Sequence, residues 1–167
     1  ISYIVLFNIG YSNLCDSGYV EYNDNCYSEK DLAVLNYFID NSFGSINMIL
    51  DINDDGDISP LELCSQDWQD GRLKIIDCSP IIINGNYNWI NISSNIPEFI
   101  NDLSEIENFL MPYNDIVGLV PENICGLGID FSNPNSFDLR SNSLCPPYPE
   151  CIEDYMWHQS TLRKRQL

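Results

Sequence analysis

The sequence predicts a mixed α/β fold, in which a short N-terminal helical segment precedes a small β-solenoid that ends in a C-terminal cap. Residues 28–42 carry apolar side chains at helical spacing, and an acidic stretch follows at 51–62. From about Leu73 the pattern changes to short apolar pieces rich in Asn, Ile, Pro and Gly. With 167 residues and a hydrophobic fraction of 44%, the chain can bury a core. The predicted units are 1–14, 15–72, 73–155 and a tail at 156–167.

The first unit, residues 1–14, opens with an apolar run and does not begin with Met. It resembles the apolar region of a signal peptide whose start is missing, and the alternative is a buried first strand. The run is too short to span a bilayer, so the sequence predicts no membrane span. A signal peptide remnant predicts a secreted or cell-surface protein whose mature chain begins near Cys15.

Seven cysteines predict disulfides, because their spacing lacks the close pairs that are typical of zinc ligands. A local bridge such as Cys15–Cys26 would stabilise the fold by about 3 kcal/mol through loop entropy and would close a hairpin or loop. Disulfides indicate an oxidising compartment, whereas the alternative is a set of buried thiols in the cytosol. The cysteines are Cys15, Cys26, Cys64, Cys78, Cys125, Cys145 and Cys151.

Two helices are predicted on either side of the acidic stretch. Ser28 is placed to cap the first helix, with Asp31 at its third helical position. Pro60 lies near the start of the second helix and Gly71 at its stop. The unit 15–72 is therefore predicted as a Cys-closed loop followed by a helix, a loop and a helix.

The acidic stretch has the residue types of a twelve-residue calcium loop. Calcium takes roughly six to eight oxygen ligands, which such a loop supplies from positions 1, 3, 5, 7, 9 and 12, with Gly at position 6 for the turn. Gly56 occupies that turn, Asp57 would offer its backbone carbonyl, and Glu62 would bind through both carboxylate oxygens. The six predicted ligands are Asp51, Asn53, Asp55, Asp57, Ser59 and Glu62.

This stretch resembles an EF-hand loop and the related dockerin loops. EF-hands usually occur in pairs and dockerin carries two loops, but this sequence has no second copy. The resemblance therefore implies one structural Ca²⁺ of modest affinity, about 10⁻⁴–10⁻³ M. One alternative is a solvated turn that holds no ion. Another is a calcium-responsive switch, for which a single loop held by disulfides leaves little room.

Residues 103–127 carry a repeated apolar pattern. Eleven positions fit L-x-x-L-x-x-L-x-L-x-x-N-x-L-x-G-x-I-P-x-x-I-x-x-L, and Asn114 recurs as Asn142, 28 residues later. The pattern resembles a plant-type leucine-rich repeat, in which Asn114 would point inward and bond the neighbouring backbone. Together with the calcium loop, it makes the chain similar to secreted bacterial leucine-rich repeat proteins. That resemblance implies a solenoid over 73–155.

The resemblance also implies disulfides at both ends of the solenoid. A Cys145–Cys151 bridge would close the C-terminal cap, and Cys64–Cys78 would close the N-terminal side. Cys125 would then remain unpaired.

A secreted, monomeric binding module is the function that these features predict. The net charge of −18 excludes nucleic acid and anionic membrane as partners, since phosphate binding requires clustered Lys and Arg. The family resemblance implies that a protein or glycan ligand binds the concave strand face. The residues expected to point outward on that face are Asn91, Ser93, Tyr113, Asp138 and Arg140.

Catalysis is not predicted, because His158 is the single histidine and the cysteines are assigned to bridges. Acidic pairs such as Glu105 with Glu107 are expected to be solvated. The remaining alternatives are a dockerin-like accessory module of a larger secreted assembly and a hydrolase fragment.

Overall fold

The computed structural model describes residues 15–42 and 44–160, with side chains described as far as residue 156. The predicted signal peptide remnant and the basic end of the tail, residues 161–167, lie outside the described residues. The strands are β1 Tyr19–Tyr22, β2 Asn25–Ser28, β3 Ser65–Gln69, β4 Arg72–Asp77, β5 Ile81–Ile83, β6 Asn86–Asn88, β7 Asn108–Leu110, β8 Val117–Leu119, β9 Phe137–Asp138 and β10 Ser143–Cys145. The α-helices are α1 Glu29–Asp40 and α2 Glu150–Ser160, and the 3-10 segments are Met48–Leu50, Ile100–Asp102 and Glu122–Gly126.

The N-terminal hairpin and α1 form as the local sequence predicts. β1 and β2 pair antiparallel around a turn in which Asn23 and Asp24 both have positive φ. The hydroxyl of Ser28 then accepts a hydrogen bond from the backbone N–H of Asp31 at 3.3 Å, which confirms the predicted N-cap.

The predicted second helix, after the acidic stretch, is wrong. This part of the chain instead forms the antiparallel hairpin β3–β4. Asp70 and Gly71 have φ values of 50° and 74°, as the two-residue turn of a tight hairpin requires. A Cβ at Gly71 would collide with the carbonyl oxygen of Cys26, so this turn also needs glycine for space. The Asp-Gly pair was therefore a hairpin signal and not a helix stop.

The leucine-rich repeat β-solenoid predicted over 73–155 is also wrong. The described strands form four small separate sheets, three of two strands and one of four strands in the order β3-β4-β7-β9. The four-stranded sheet joins one antiparallel pair to two parallel pairs. Residues in the left-handed conformation, Asn91, Tyr113 and Ser141, end the extended runs, so no continuous stack of strands forms in the described part of the chain.

The repeated apolar positions are mostly buried, as the pattern predicts, but the strands between them do not form a continuous sheet. Ile96 and Ile106 are buried although they lie in irregular segments, and Ile100 is buried from a 3-10 segment. Phe109 lies at the centre of the core, with its ring centroid 6.4 Å from that of Phe38 and 6.5 Å from that of Phe137. Apolar spacing therefore predicted which side chains are inside, whereas strand pairing depended on the backbone between them.

Buried asparagine amides connect neighbouring segments of the chain, as expected for Asn114. Its Oδ1 accepts from the N–H of Ile92 at 3.0 Å, and its Nδ2 donates to the carbonyls of Cys78 and Pro112, both at 3.1 Å. Asn142 repeats the arrangement 28 residues later, accepting from Ile116 N–H and donating to the Met111 carbonyl. Each amide satisfies backbone groups that no strand partner reaches.

A buried ion pair joins α1 to β4. The Asp31 carboxylate is fully buried, and it accepts from Arg72 Nε and Nη2 and from the Leu73 N–H, each at 2.9 Å. The hydrogen bond that Arg72 donates to Asp31 raises the pKa of Arg72, so this guanidinium stays charged at any working pH.

Three disulfides link the described residues: Cys15–Cys26, Cys64–Cys78 and Cys125–Cys151. The first two confirm the expected pairs. The third corrects the expected Cys145–Cys151 bridge, because Cys151 on α2 pairs with Cys125 and leaves Cys145 as an exposed thiol. Sequence spacing alone could not show whether Cys151 pairs with Cys125 or with Cys145, since the pairing depends on where α2 packs.

We predict that Cys125→Ser combined with Cys151→Ser lowers the free energy of unfolding by about 3.5 kcal/mol, the loop-entropy value for a separation of 26 residues. Urea unfolding measures this loss, and Cys145→Ser is the control that leaves stability unchanged. A non-reducing peptide map that links Cys145 to Cys151 would contradict the assignment.

We also predict that Asn114→Ala costs about 3 kcal/mol, because the change leaves buried backbone groups without partners. The matched control is Asn135→Ala, whose exposed side chain should contribute less than about 0.5 kcal/mol. Equal urea midpoints for the two variants would show that the Asn114 amide does not hold these segments together.

Candidate functional site

The acidic loop, residues 51–62, is the first candidate site. It enters from the 3-10 segment Met48–Leu50 and leaves through a turn in which Glu62 N–H donates to the Ser59 carbonyl at 3.0 Å. The strand β3 follows, so the helix–loop–helix frame of an EF-hand is absent here.

Hydrogen bonds within the loop draw together four of the six predicted ligands. Asp51 accepts from the N–H groups of Asp55 at 3.2 Å and Gly56 at 3.0 Å, through its two carboxylate oxygens. Asn53 Oδ1 accepts from Asp55 N–H at 2.9 Å, and Asp55 Oδ1 accepts from Asp57 N–H at 3.0 Å. Gly56 has a φ of 93°, which fits its predicted place at the sharp turn.

Glu62 connects the two halves of the loop. One carboxylate oxygen accepts from Ser59 N–H at 2.9 Å, and the other accepts from Asn53 N–H at 3.3 Å. The hydrogen bond from the Ser59 backbone is the main cause that lowers the pKa of Glu62 below the ordinary 4.5, because it favours the charged form. Glu62 therefore carries its negative charge throughout the physiological pH range.

The donor chemistry of this loop fits a hard cation, since every predicted ligand offers oxygen. The arrangement differs from a metal centre: no group of three or more His, Cys, Asp or Glu in the described residues is placed to hold a metal ion. The carboxylate oxygens of Asp51, Asp55 and Glu62 instead accept hydrogen bonds from backbone N–H groups of the loop. The residues that could hold Ca²⁺ are the six predicted ones, and calcium binding stays a prediction.

The predicted concave-face residues separate into two groups. The Ser93 hydroxyl makes hydrogen bonds within the protein: it donates to the Ser42 carbonyl at 2.8 Å and lies 2.8 Å from the Ser45 hydroxyl. The Asn91 carbonyl likewise accepts from the Ser45 hydroxyl at 2.8 Å. These two residues attach the turn after α1 to the segment around residue 92.

The other three predicted residues lie together. Arg140 Nε donates to Asp138 Oδ2 at 2.6 Å, and the Arg140 guanidinium carbon lies 5.8 Å from the centre of the Tyr113 ring. The Tyr113 N–H donates to the Arg140 carbonyl at 2.9 Å, which keeps the two side chains adjacent.

Two aromatic residues that the sequence analysis missed extend this group. The Trp89 ring centroid lies 5.6 Å from that of Tyr113 and 6.3 Å from that of Tyr87. We call Tyr87, Trp89, Tyr113 and Arg140 the aromatic strip. The sequence signal for this group was the Asn84-Gly85 dipeptide, which is typical of a hairpin turn. Tyr87 and Trp89 follow it two residues apart, so in an extended segment they lie on the same face.

The aromatic strip is exposed to solvent. Tyr87 is 64% exposed, Trp89 44% and Tyr113 38%, and Ile82, paired directly opposite Tyr87, is 61% exposed. Tyr113 also has a φ of 57°, a conformation that bulky residues rarely adopt. An exposed run of large apolar side chains on a strained backbone is typical of an interaction surface.

No family model matches the chain. Over 98 residues the chain is 35% identical to Receptor-like protein 6 of Arabidopsis thaliana, a match that covers 57% of this chain and 9% of that protein. The similarity supports a link to plant receptor-like proteins with leucine-rich repeats, and it gives no support to the bacterial origin implied by the sequence resemblance. The chain spans about a tenth of the length of this relative.

The three disulfides fit an extracellular protein. Neither described helix has both the length and the apolar character needed to cross a membrane.

Proposed function

We propose that this chain is a secreted, monomeric, non-catalytic recognition module that binds a protein partner through the aromatic strip. The observation that carries the proposal is the contiguous exposure of Tyr87, Trp89 and Tyr113 beside Arg140. Tyr, Trp and Arg are the residues most enriched among energetic hot spots of protein interfaces, because they bury a large area at a small entropic cost.

Similarity to a receptor-like protein and the three disulfides support the same proposal. The strip also has a rigid base. Two hydrogen bonds fix the backbone below it: the Tyr113 N–H donates to the Arg140 carbonyl, and the Asn47 side-chain amide donates to the Trp89 carbonyl at 2.9 Å. A preorganised surface loses less entropy when a partner binds.

Calcium enters the proposal as a structural ion in the acidic loop. When bound, Ca²⁺ would supply positive charge between carboxylates that otherwise repel one another. The six oxygen-bearing residues Asp51 to Glu62 would hold it, and the disulfide at Cys64 would limit how far the loop can open.

We predict that Trp89→Ala combined with Tyr113→Ala weakens a strip-binding ligand at least tenfold, since each hot-spot truncation costs about 1–2 kcal/mol or more. The probes are peptides selected from a random displayed library on the wild-type protein, with their affinities measured by calorimetry. Tyr155→Ala, an exposed aromatic on α2, is the matched control that should bind normally. Selected peptides that bind the double variant as well as the wild type would contradict the proposal, as would binding of neutral glycans alone.

For the calcium site we predict measurable heat on titration of Ca²⁺ into the wild type and at least tenfold weaker binding to Glu62→Gln. Because the pKa of Glu62 is lowered, its carboxylate contributes to loop stability above pH 4.5 and loses that contribution as the pH falls further. Calcium affinity should fall over the same acidic range, as protons compete. Glu153→Gln on α2 is the control, and equal heats for wild type and Glu62→Gln would rule out the site.

A further inference from the structure

The acidic loop begins four residues after Asn47, which is bonded to the backbone of the aromatic strip at Trp89. Asn47 N–H donates to the Ile90 carbonyl at 2.8 Å, and Asn47 Nδ2 donates to the Trp89 carbonyl at 2.9 Å. The loop begins at Asp51, after the single 3-10 turn Met48–Leu50. At a rise of about 2 Å per residue, Asp51 follows Asn47 by about 8 Å along the chain.

Without a bound metal ion, no neighbouring basic side chain among the described residues offsets the negative charge of this loop. Residues 51–62 include five carboxylates, and no Lys or Arg occurs between Lys30 and Arg72. Each basic side chain in the described part of the chain pairs with a carboxylate elsewhere: Lys30 with Asp102, Arg72 with Asp31 and Glu105, Lys74 with Glu105 and Glu107, and Arg140 with Asp138. The carboxylates of the loop therefore pair with no basic side chain that the structure describes.

The aromatic strip itself is close to neutral. Arg140 is its cation, and Asp138 offsets that charge through contacts to Nε at 2.6 Å and to Nη2 at 2.5 Å. The chain therefore combines a nearly neutral aromatic strip with an acidic loop that begins four residues after the Asn47 contact to Trp89.

We infer that the partner is a polypeptide that presents an apolar or aromatic anchor with a cluster of Lys or Arg beside it. This inference rests on the proposed function and adds the charge of the partner to it. The anchor buries apolar area on Tyr87, Trp89 and Tyr113, which supplies affinity. The basic cluster would pair with the acidic loop, whose first carboxylate follows Asn47 by about 8 Å of chain, which is less than the Debye length of roughly 10 Å at 0.1 M salt. Such charge complementarity accelerates association and fixes orientation.

The test compares the displayed peptides selected on the wild type, in chelator and at low salt, with two charge variants. Asp54→Asn combined with Asp57→Asn removes two exposed charges of the loop and keeps the carboxylates of Asp51, Asp55 and Glu62. Glu153→Gln combined with Asp154→Asn removes the same charge from exposed positions on α2. Association rates are measured by surface plasmon resonance at two salt concentrations.

We expect peptides with an aromatic or aliphatic anchor and two or more adjacent Lys or Arg. Their association with the loop variant should be about three- to tenfold slower at low salt, with little change in the α2 variant. Peptides that need Trp89 and Tyr113 but lack basic residues, or that associate equally with both charge variants, would overturn the inference and leave the proposed function intact. Peptides that bind independently of Trp89 and Tyr113 would overturn both.

Discussion

The buried amide of Asn114 is the interaction on which the rest of this structure depends. It accepts from the segment at Ile92 and donates to the segment at Cys78, while a further bond to the Pro112 carbonyl fixes it to its own turn, so a single side chain holds together stretches that share few strand hydrogen bonds. Asn142 does the same for the next stretch of the chain. In a protein whose strands are only two to six residues long, such amides provide the backbone partners that a continuous sheet would otherwise supply.

The candidate surface is a consequence of the same arrangement. One residue before Asn114, the chain turns through the left-handed conformation at Tyr113, and the equivalent turn before Asn142 occurs at Ser141, next to Arg140. Each turn follows a short strand by three residues, and at the first of them the Tyr113 side chain is exposed. The aromatic strip therefore lies where the extended runs end, and the inward-facing amides fix its position from below.

The sequence predicted caps, inward-facing side chains and two of the three bridges, and it failed for the second helix, where the local Asp70-Gly71 pair was misread, and for features set by the path of the backbone. The Ser28 cap, the inward-facing Asn114, and the Cys15–Cys26 and Cys64–Cys78 bridges are confirmed. The solenoid was wrong, because apolar spacing specifies burial and not strand continuity. The Cys125–Cys151 bridge and the meeting of Trp89 with Tyr113 depend on segments more than 20 residues apart, which no local pattern specifies.

The pairing of Asp31 with Arg72 has a consequence for how the protein unfolds. A charge that is fully buried on α1 remains stable only while β4 is in place, because an unpaired carboxylate in the interior is very costly. Loss of β4 would leave the Asp31 carboxylate unpaired, and detachment of α1 would leave the Arg72 guanidinium and the Leu73 N–H without this acceptor, so each element stabilises the other. The two ends of this salt bridge are 41 residues apart, and they make this half of the molecule melt as one cooperative unit.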